Sequence, residues 1–328
     1  MRTPSTALAA AFAAALVAAG APASALADNS VVLFPSLGRP TLVTVRGQAL
    51  KTSPENHQRS GLEKNVRRLA SVTWGGAAIE VGFQGQARQV VSDKDGLFEA
   101  SFPASQASPF PLGASTAKAT AGTAAGEGQV QIVADEAPFL VVSDFDDTVA
   151  VTNVQNKGEM LKTALLGDES STPPVEGMAA FYACLAQAAP APGFAFVSGS
   201  PVEFGPRLQG FLTKHAFPFA ALHLRVLGPK TMSGYKEPHL RALLSRFPQR
   251  FVLVGDSGEA DPEVYATILK EFPGRVAAVY IHDVGRSTDA SRFKGMVLFK
   301  TGADAARAAV AAGLAPRECV EKAFPSGK

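Results

Sequence analysis

Cysteine is scarce in this sequence: 328 residues hold two, Cys184 and Cys319. Two thiols so far apart make neither a disulfide framework nor a metal cluster. They leave two readings, a single bridge in an oxidising compartment or a pair of small buried hydrophobes. Charge of one sign is also not in excess, with 31 Lys and Arg against 29 Asp and Glu and no long run of either. That balance argues against a general nucleic-acid binder, which carries a clear basic surplus. His57, His215, His223 and His239 show no paired metal spacing. No stretch supplies the ~20 apolar residues that a membrane-crossing helix needs.

The first residues carry an export pattern. Arg2 gives a short positive start, Ala7 to Ala19 is apolar and dominated by alanine, and Ala25-Leu26-Ala27 fits a small-x-small cleavage site before Asp28. The expectation is a signal peptide over residues 1–27, cleaved near Ala27, and an exported mature protein, periplasmic or secreted. No cysteine follows the apolar run, so a lipoprotein anchor is not available.

From Val31 to about Ala137 the pattern is β. Apolar and β-branched runs recur at Val31–Phe34, Leu42–Val45, Ile79–Phe83, Leu97–Phe102 and Val130–Val133, separated by turn formers such as Asp93-Lys94-Asp95-Gly96. Short strands at such spacing suggest a small β-sandwich over residues 28–137, an accessory module without catalytic residues. Ser60 to Ala70 has helical spacing, and the Ala-, Thr- and Gly-rich stretch Ala114–Gly128 reads as a loop or weak hairpin.

From Pro138 onward short apolar strands alternate with helical stretches, which predicts a doubly wound parallel sheet over residues 138–328. In such sheets ligands bind beyond the carboxyl ends of the strands. Four polar pieces stand at those places. Phe139–Ser143 runs into Asp144-Phe145-Asp146-Asp147-Thr148; Gly193–Val197 runs into Ser198-Gly199-Ser200-Pro201; Lys236 precedes the helix that leads into the fourth strand; and that strand ends in Gly255-Asp256, with Asp261 following. Any one of these could merely cap a helix. Four in order, each at a strand end or helix start, point to a site.

Their order resembles the haloacid-dehalogenase-like phosphatases: an Asp-x-Asp-x-Thr, a strand-terminal Ser or Thr, a Lys and an acidic pair. The segments SDFDDT, VEGM, FVSGSP, LHLR, GYKEP, VGDSGEADPEVY and VYIHDV resemble more closely the phosphatidate phosphatases of the actin-patch-protein type. The resemblance implies an α/β fold of that superfamily without a large cap, Mg²⁺ as cofactor, and phosphatidate or a similar phosphomonoester as substrate. It implies Asp144 as nucleophile and metal ligand, and Asp146 as general acid and then base, with its backbone carbonyl on the metal. Asp256 completes the metal shell, Ser198 and Gly199 hold phosphate oxygens, and Lys236 neutralises phosphate and Asp144. Thr148 fixes the loop. Asp147 is a supporting residue or only a cap, and Asp261 ligates through water or orients Lys236.

The chemistry agrees. A phosphate monoester is an anion, so a carboxylate can approach it only after its charge is neutralised, and a hard cation among carboxylates does this. Three positions depart from the family pattern: Val202 where an aromatic is common, Phe145 for an aliphatic, and His282 for an Arg. None removes a catalytic group, and His282 reads as a strand-end histidine without a role. Peripheral membrane contact is expected from apolar residues beside basic ones at Met160-Leu161-Lys162 and Leu165-Leu166. The other functions the sequence allows are a phosphatase for a soluble or protein-borne ester, and a binding module with a vestigial catalytic domain.

Overall fold

The computed structural model describes residues 29–51, 72–152, 172–226, 231–285 and 289–325. The expected export signal, the stretch Ser60–Ala70 read as having helical spacing, and the segments Met160-Leu161-Lys162 and Leu165-Leu166 lie outside them.

The front strands are β1 (Ser30–Phe34), β2 (Ser36–Arg39), β3 (Leu42–Leu50), β4 (Ala78–Phe83), β5 (Gln86–Val91), β6 (Leu97–Pro103), β7 (Gly113–Ala121) and β8 (Ala124–Ile132). Period-two alternation sets their faces. In β4, Ile79, Val81 and Phe83 are buried while Ala78 and Glu80 are exposed; in β6, Phe98, Ala100 and Phe102 point inward. Phe83 sits between Phe102 and Phe110, with ring centroids 5.8 and 5.1 Å away.

The rear begins with β9 (Phe139–Ser143), α1 (Met178–Leu185), β10 (Gly193–Pro201), α2 (Gly205–Lys214) and β11 (Ala221–Arg225). It continues with α3 (Met232–Arg246), β12 (Arg250–Asp256), α4 (Asp261–Glu271), β13 (Val276–His282), β14 (Val297–Phe299), α5 (Gly302–Ala311) and α6 (Arg317–Ala323). Its six strands are all parallel, in the order β11-β10-β9-β12-β13-β14. The two faces of β9 feed separate cores. Phe139 and Val141 pack with Phe196, Tyr182 and Val254, whereas Leu140 and Val142 pack with Val197, Leu240 and Leu253.

The expected fold class is corrected here. The front strands do not divide into two packed sheets. They form one eight-stranded mixed sheet, β1-β3-β2-β8-β7-β4-β5 with β6 on the other edge of β3, which curls into a half-barrel. The rear is a separate all-parallel sheet. Among the described residues, fourteen strands against six short helices make the chain strand-rich, not a clear doubly wound domain of haloacid-dehalogenase type behind a sandwich. Alternation fixes a strand's faces but not its neighbours. Ala114–Gly128, weak in β-formers, falls within the long β7–β8 hairpin that joins the two halves of the front sheet, and the parallel pair β2–β8 completes the join.

Front and rear are fastened by polar contacts. Leu222 N donates to Pro35 O at 3.1 Å, Gln249 Nε2 to Ala134 O at 2.7 Å, and Arg39 pairs with Asp135 at 2.7 Å while donating to Arg246 O. Cys184 of α1 and Cys319 of α6 are disulfide-bonded, with Cα atoms 5.6 Å apart. The bridge decides between the two readings of the thiols and pins the last helix to the core.

Candidate active site

Strands β10, β9 and β12 are adjacent and parallel, so their carboxyl ends bring Ser198, Asp144 and Asp256 side by side. The sheet extends one residue past β9, since Asp144 N donates to Val254 O at 2.9 Å. The chain then turns sharply. Asp147 takes a left-handed conformation, φ 53°, which Asp tolerates because its short side chain can satisfy backbone groups locally. Here Asp147 Oδ1 accepts from Thr152 N and Oγ1 at 2.9 and 3.1 Å. Thr148, fully buried, directs its hydroxyl toward Asp144 Oδ2 at 3.5 Å. Asp147 therefore shapes the loop, and so does His282, whose Nδ1 lies 2.6 Å from Asp147 O. The reading of His282 as a residue without a role is corrected by that contact.

Lys236, in the first turns of α3, is 1% exposed and stands between two carboxylates. Its Nζ lies 2.9 Å from Asp144 Oδ1 and bonds Asp261 Oδ1. Asp261 opens α4, where the helix dipole favours an acidic residue, and its other oxygen accepts from Asp256 N at 3.2 Å. This close approach needs Gly255, because a Cβ there would stand 2.4 Å from Asp261 Oδ2. Asp261 thus touches Lys236 directly and also stands beside Asp144 and Asp256. Burial works against the charge of Lys236, but Asp144 and Asp261 outweigh it and hold the ammonium above its ordinary range.

The carboxylate of Asp146 turns the other way, toward β10. Its Oδ2 accepts from Ser200 Oγ at 2.7 Å and lies 3.4 Å from Ser198 Oγ. Burial raises its pKa, and the bond from Ser200 partly opposes the rise. Ser200 was not singled out from the sequence. It stands two residues beyond Ser198 on the same strand, and that spacing was the available signal. Gly199 packs on Met232, whose Sδ would be 2.7 Å from a Cβ placed there. Glu259 is a second residue the sequence did not flag. Burial raises its carboxyl, Lys236 opposes the rise, and the charges of Asp261, Asp146 and Asp147 add to it.

Carboxylate oxygens of Asp144, Asp256 and Asp261 lie within 4.8 Å of one another. The side chain of Asp146 is not in this group. Asp256 is fully buried; its Oδ1 accepts from Gly258 N at 2.6 Å, while its Oδ2 is buried without a hydrogen-bond partner among the described residues. Burial and the neighbouring Asp261 push its pKa up to about 7. Burial likewise raises Asp144, against the opposing pull of Lys236. One ammonium among three buried carboxylates leaves the cluster short of positive charge. Hard oxygen donors with one orphaned oxygen fit a cation such as Mg²⁺.

Residues 139–283 match the catalytic domain of phosphatidate phosphatase APP1. The matched stretch runs from the start of β9 to just past the end of β13. The phosphatidate phosphatase APP1 of Saccharomyces cerevisiae is 30% identical over 150 residues, 43% of this chain and 25% of its own length. An uncharacterized protein of Schizosaccharomyces pombe is 29% identical over 162 residues, 46% of this chain and 26% of its own. The chain thus spans about a quarter of the length of these curated relatives. A carbohydrate acetylesterase from Xanthomonas citri superposes with a TM-score of 0.31 at 11% identity, covering 75% of this chain and 57% of that one. So distant a likeness bears on neither fold nor function.

Proposed function

We propose that this chain is a Mg²⁺-dependent phosphatase that cleaves a phosphomonoester through an aspartyl-phosphate on Asp144, with phosphatidate as the substrate. The observation that carries the reading is the buried Lys236 bridging Asp144 and Asp261 beside the half-satisfied Asp256, within a segment of the APP1 type. The intact set of Asp144, Asp146, Ser198, Lys236 and Asp256 speaks against a vestigial domain.

An Asp144 carboxylate oxygen attacks phosphorus, and the bond from phosphorus to the alcohol oxygen breaks. Asp146 gives its proton to the departing alkoxide, leaving diacylglycerol and a phosphorylated Asp144. The Asp146 carboxylate then takes a proton from water as that water attacks phosphorus, releasing phosphate and restoring Asp144. Ser198, with the backbone at Gly199, holds phosphate oxygens, and Lys236 balances their charge. Mg²⁺ held by Asp144, Asp256 and the Asp146 carbonyl would neutralise the phosphate anion so that a carboxylate can approach it.

Export and an interfacial site are part of the same proposal. The Cys184–Cys319 bridge supports an oxidising compartment. No helix among the described residues is long and apolar enough to cross a membrane. Contact with lipid would then be peripheral.

The test is phosphate release from phosphatidate in mixed micelles, with Mg²⁺ and with EDTA, as the surface fraction varies at fixed bulk concentration. The rate should follow surface fraction and vanish in EDTA. No release from phosphatidate alongside brisk turnover of a soluble sugar phosphate would reject the lipid. Full activity in EDTA would reject the metal.

A further inference from the structure

A second charged site lies away from the aspartates, where the front sheet meets the edge of the rear one. A cavity of about 240 Å³ opens there, lined by Arg46 of β3, Glu99 of β6, His223 of β11, and Pro238, His239 and Arg246 of α3. One water needs about 10–15 Å³ on this measure, so the space holds a group several times larger, though not a whole lipid.

Arg46 is its deepest cation. One of its amino groups stands 2.5 Å from His223 Nδ1 and the other donates to Leu222 O at 2.6 Å. Among the described residues no carboxylate lies within ion-pair distance of it. A guanidinium withdrawn from water is ordinarily paired with an anion; Arg46 is half-buried at the cavity, and the carboxylate whose charge reaches it, its cross-strand neighbour Glu99, is paired with Arg246. Burial holds it below its ordinary range, and burial together with Arg46 keeps His223 neutral. At the rim Arg246 pairs with Glu99 at 2.6 Å, both side chains partly exposed. Two guanidiniums thus face one carboxylate, with His223 and His239 as the remaining titratable groups, an excess of one positive charge. Arg39 nearby is already paired with Asp135.

We infer that this junction is a binding site for a phosphate-class oxyanion, seated on Arg46 and Arg246 and separate from the aspartate cluster. Guanidinium recognises such groups through paired N–H donors. His239 lies one turn beyond Lys236 on the same helix, so an anion seated here would rest against the element that carries Lys236. The inference stands on the cavity and its charges and does not depend on the proposed phosphatase reaction.

The test is isothermal titration of the full chain with inorganic phosphate, in EDTA and at constant ionic strength set with chloride. Without metal, the aspartate cluster repels phosphate. The expected result is one saturable site, lost in Arg46→Met and about tenfold weaker in Arg246→Gln, as removal of one charge-assisted contact implies. Should Arg46→Met fail to fold, Arg246→Gln decides, since its side chain is at the rim. No saturable uptake by the wild type, or unchanged affinity in Arg246→Gln, would overturn the site. Vesicles of phosphatidylcholine with phosphatidate distinguish the source: displacement of phosphate by the vesicles assigns the site to a lipid headgroup, and retention assigns it to free phosphate.

Discussion

Lys236 Nζ lies 2.9 Å from Asp144 Oδ1, and each side chain is only 2% exposed. The same ammonium bonds Asp261, itself buried. One cation therefore balances two carboxylates in a place water hardly reaches, which couples the integrity of the fold to the proposed chemistry.

Removing that cation should be costly on both counts. In Lys236→Met the buried carboxylates lose their partner, a change that typically costs about 3–5 kcal/mol. Turnover should fall by about 10²–10³-fold, as for loss of one preorganised charge. Urea unfolding and initial rates measure the two effects. A variant with an unchanged midpoint would show that Lys236 does not hold the pair.

Asp146 should separate substrates by their leaving groups. An alkyl phosphate needs its alkoxide protonated, whereas nitrophenolate departs unaided. Asp146→Asn should lose about 10²–10⁴-fold on the alkyl ester and much less on the nitrophenyl ester. Ser200→Ala, which removes the hydroxyl 2.7 Å from Asp146, should follow the same split with a loss of about two- to tenfold, the worth of one hydrogen bond. Equal losses on both esters would count against the acid role.

The disulfide spans 135 residues of sequence. A cross-link closing so long a loop stabilises mainly by restricting the unfolded chain, typically by about 2–5 kcal/mol. Cys184→Ala with Cys319→Ala should lower stability by that order while leaving the Lys236 cluster, on other elements, in place. The check is denaturant unfolding beside turnover of the unfrayed protein. Loss of turnover without loss of stability would contradict a purely structural bridge.

His223 should make the junction acid-sensitive. Burial first, then the charge of Arg46, puts its folded pKa well below the ordinary 6.5. Below about pH 6.5 the unfolded chain takes up a proton that the folded one refuses, so stability falls with pH, by at most about 1.4 kcal/mol per unit for this group. Above the unfolded value the effect is absent. Unfolding free energy measured from pH 7.5 down to about 5 should fall more steeply in wild type than in His223→Gln. Parallel curves would exclude the histidine as the cause.

Much of the site is legible in the sequence because buried parallel strands are short apolar runs, and their polar ends stand out. Phe139–Ser143 and Phe251–Gly255 announce Asp144 and Asp256 in this way. The contacts of Asp261 with Lys236 and Asp256 N are not readable in the sequence, since they depend on how closely α4 approaches Gly255. Ser200 was legible in principle from its spacing to Ser198. His282 was not, because its partner is the backbone of Asp147, 135 residues away. In the front sheet, Ala114–Gly128 leaves a loop or a weak hairpin open because β7 and β8 weave Ala, Gly and Thr into the long hairpin that forms, and nothing local signals the parallel pairing of β2 with β8.

The most direct measurement is where phosphate becomes attached during turnover. The protein is mixed with labelled phosphatidate and Mg²⁺, quenched in acid within one turnover, digested and mapped by mass spectrometry. The phosphoryl group should be found on Asp144, absent in Asp144→Asn and accumulating in Asp146→Asn when the substrate has a good leaving group. Phosphate release with no labelled peptide, or with label on another residue, would contradict Asp144 as the nucleophile.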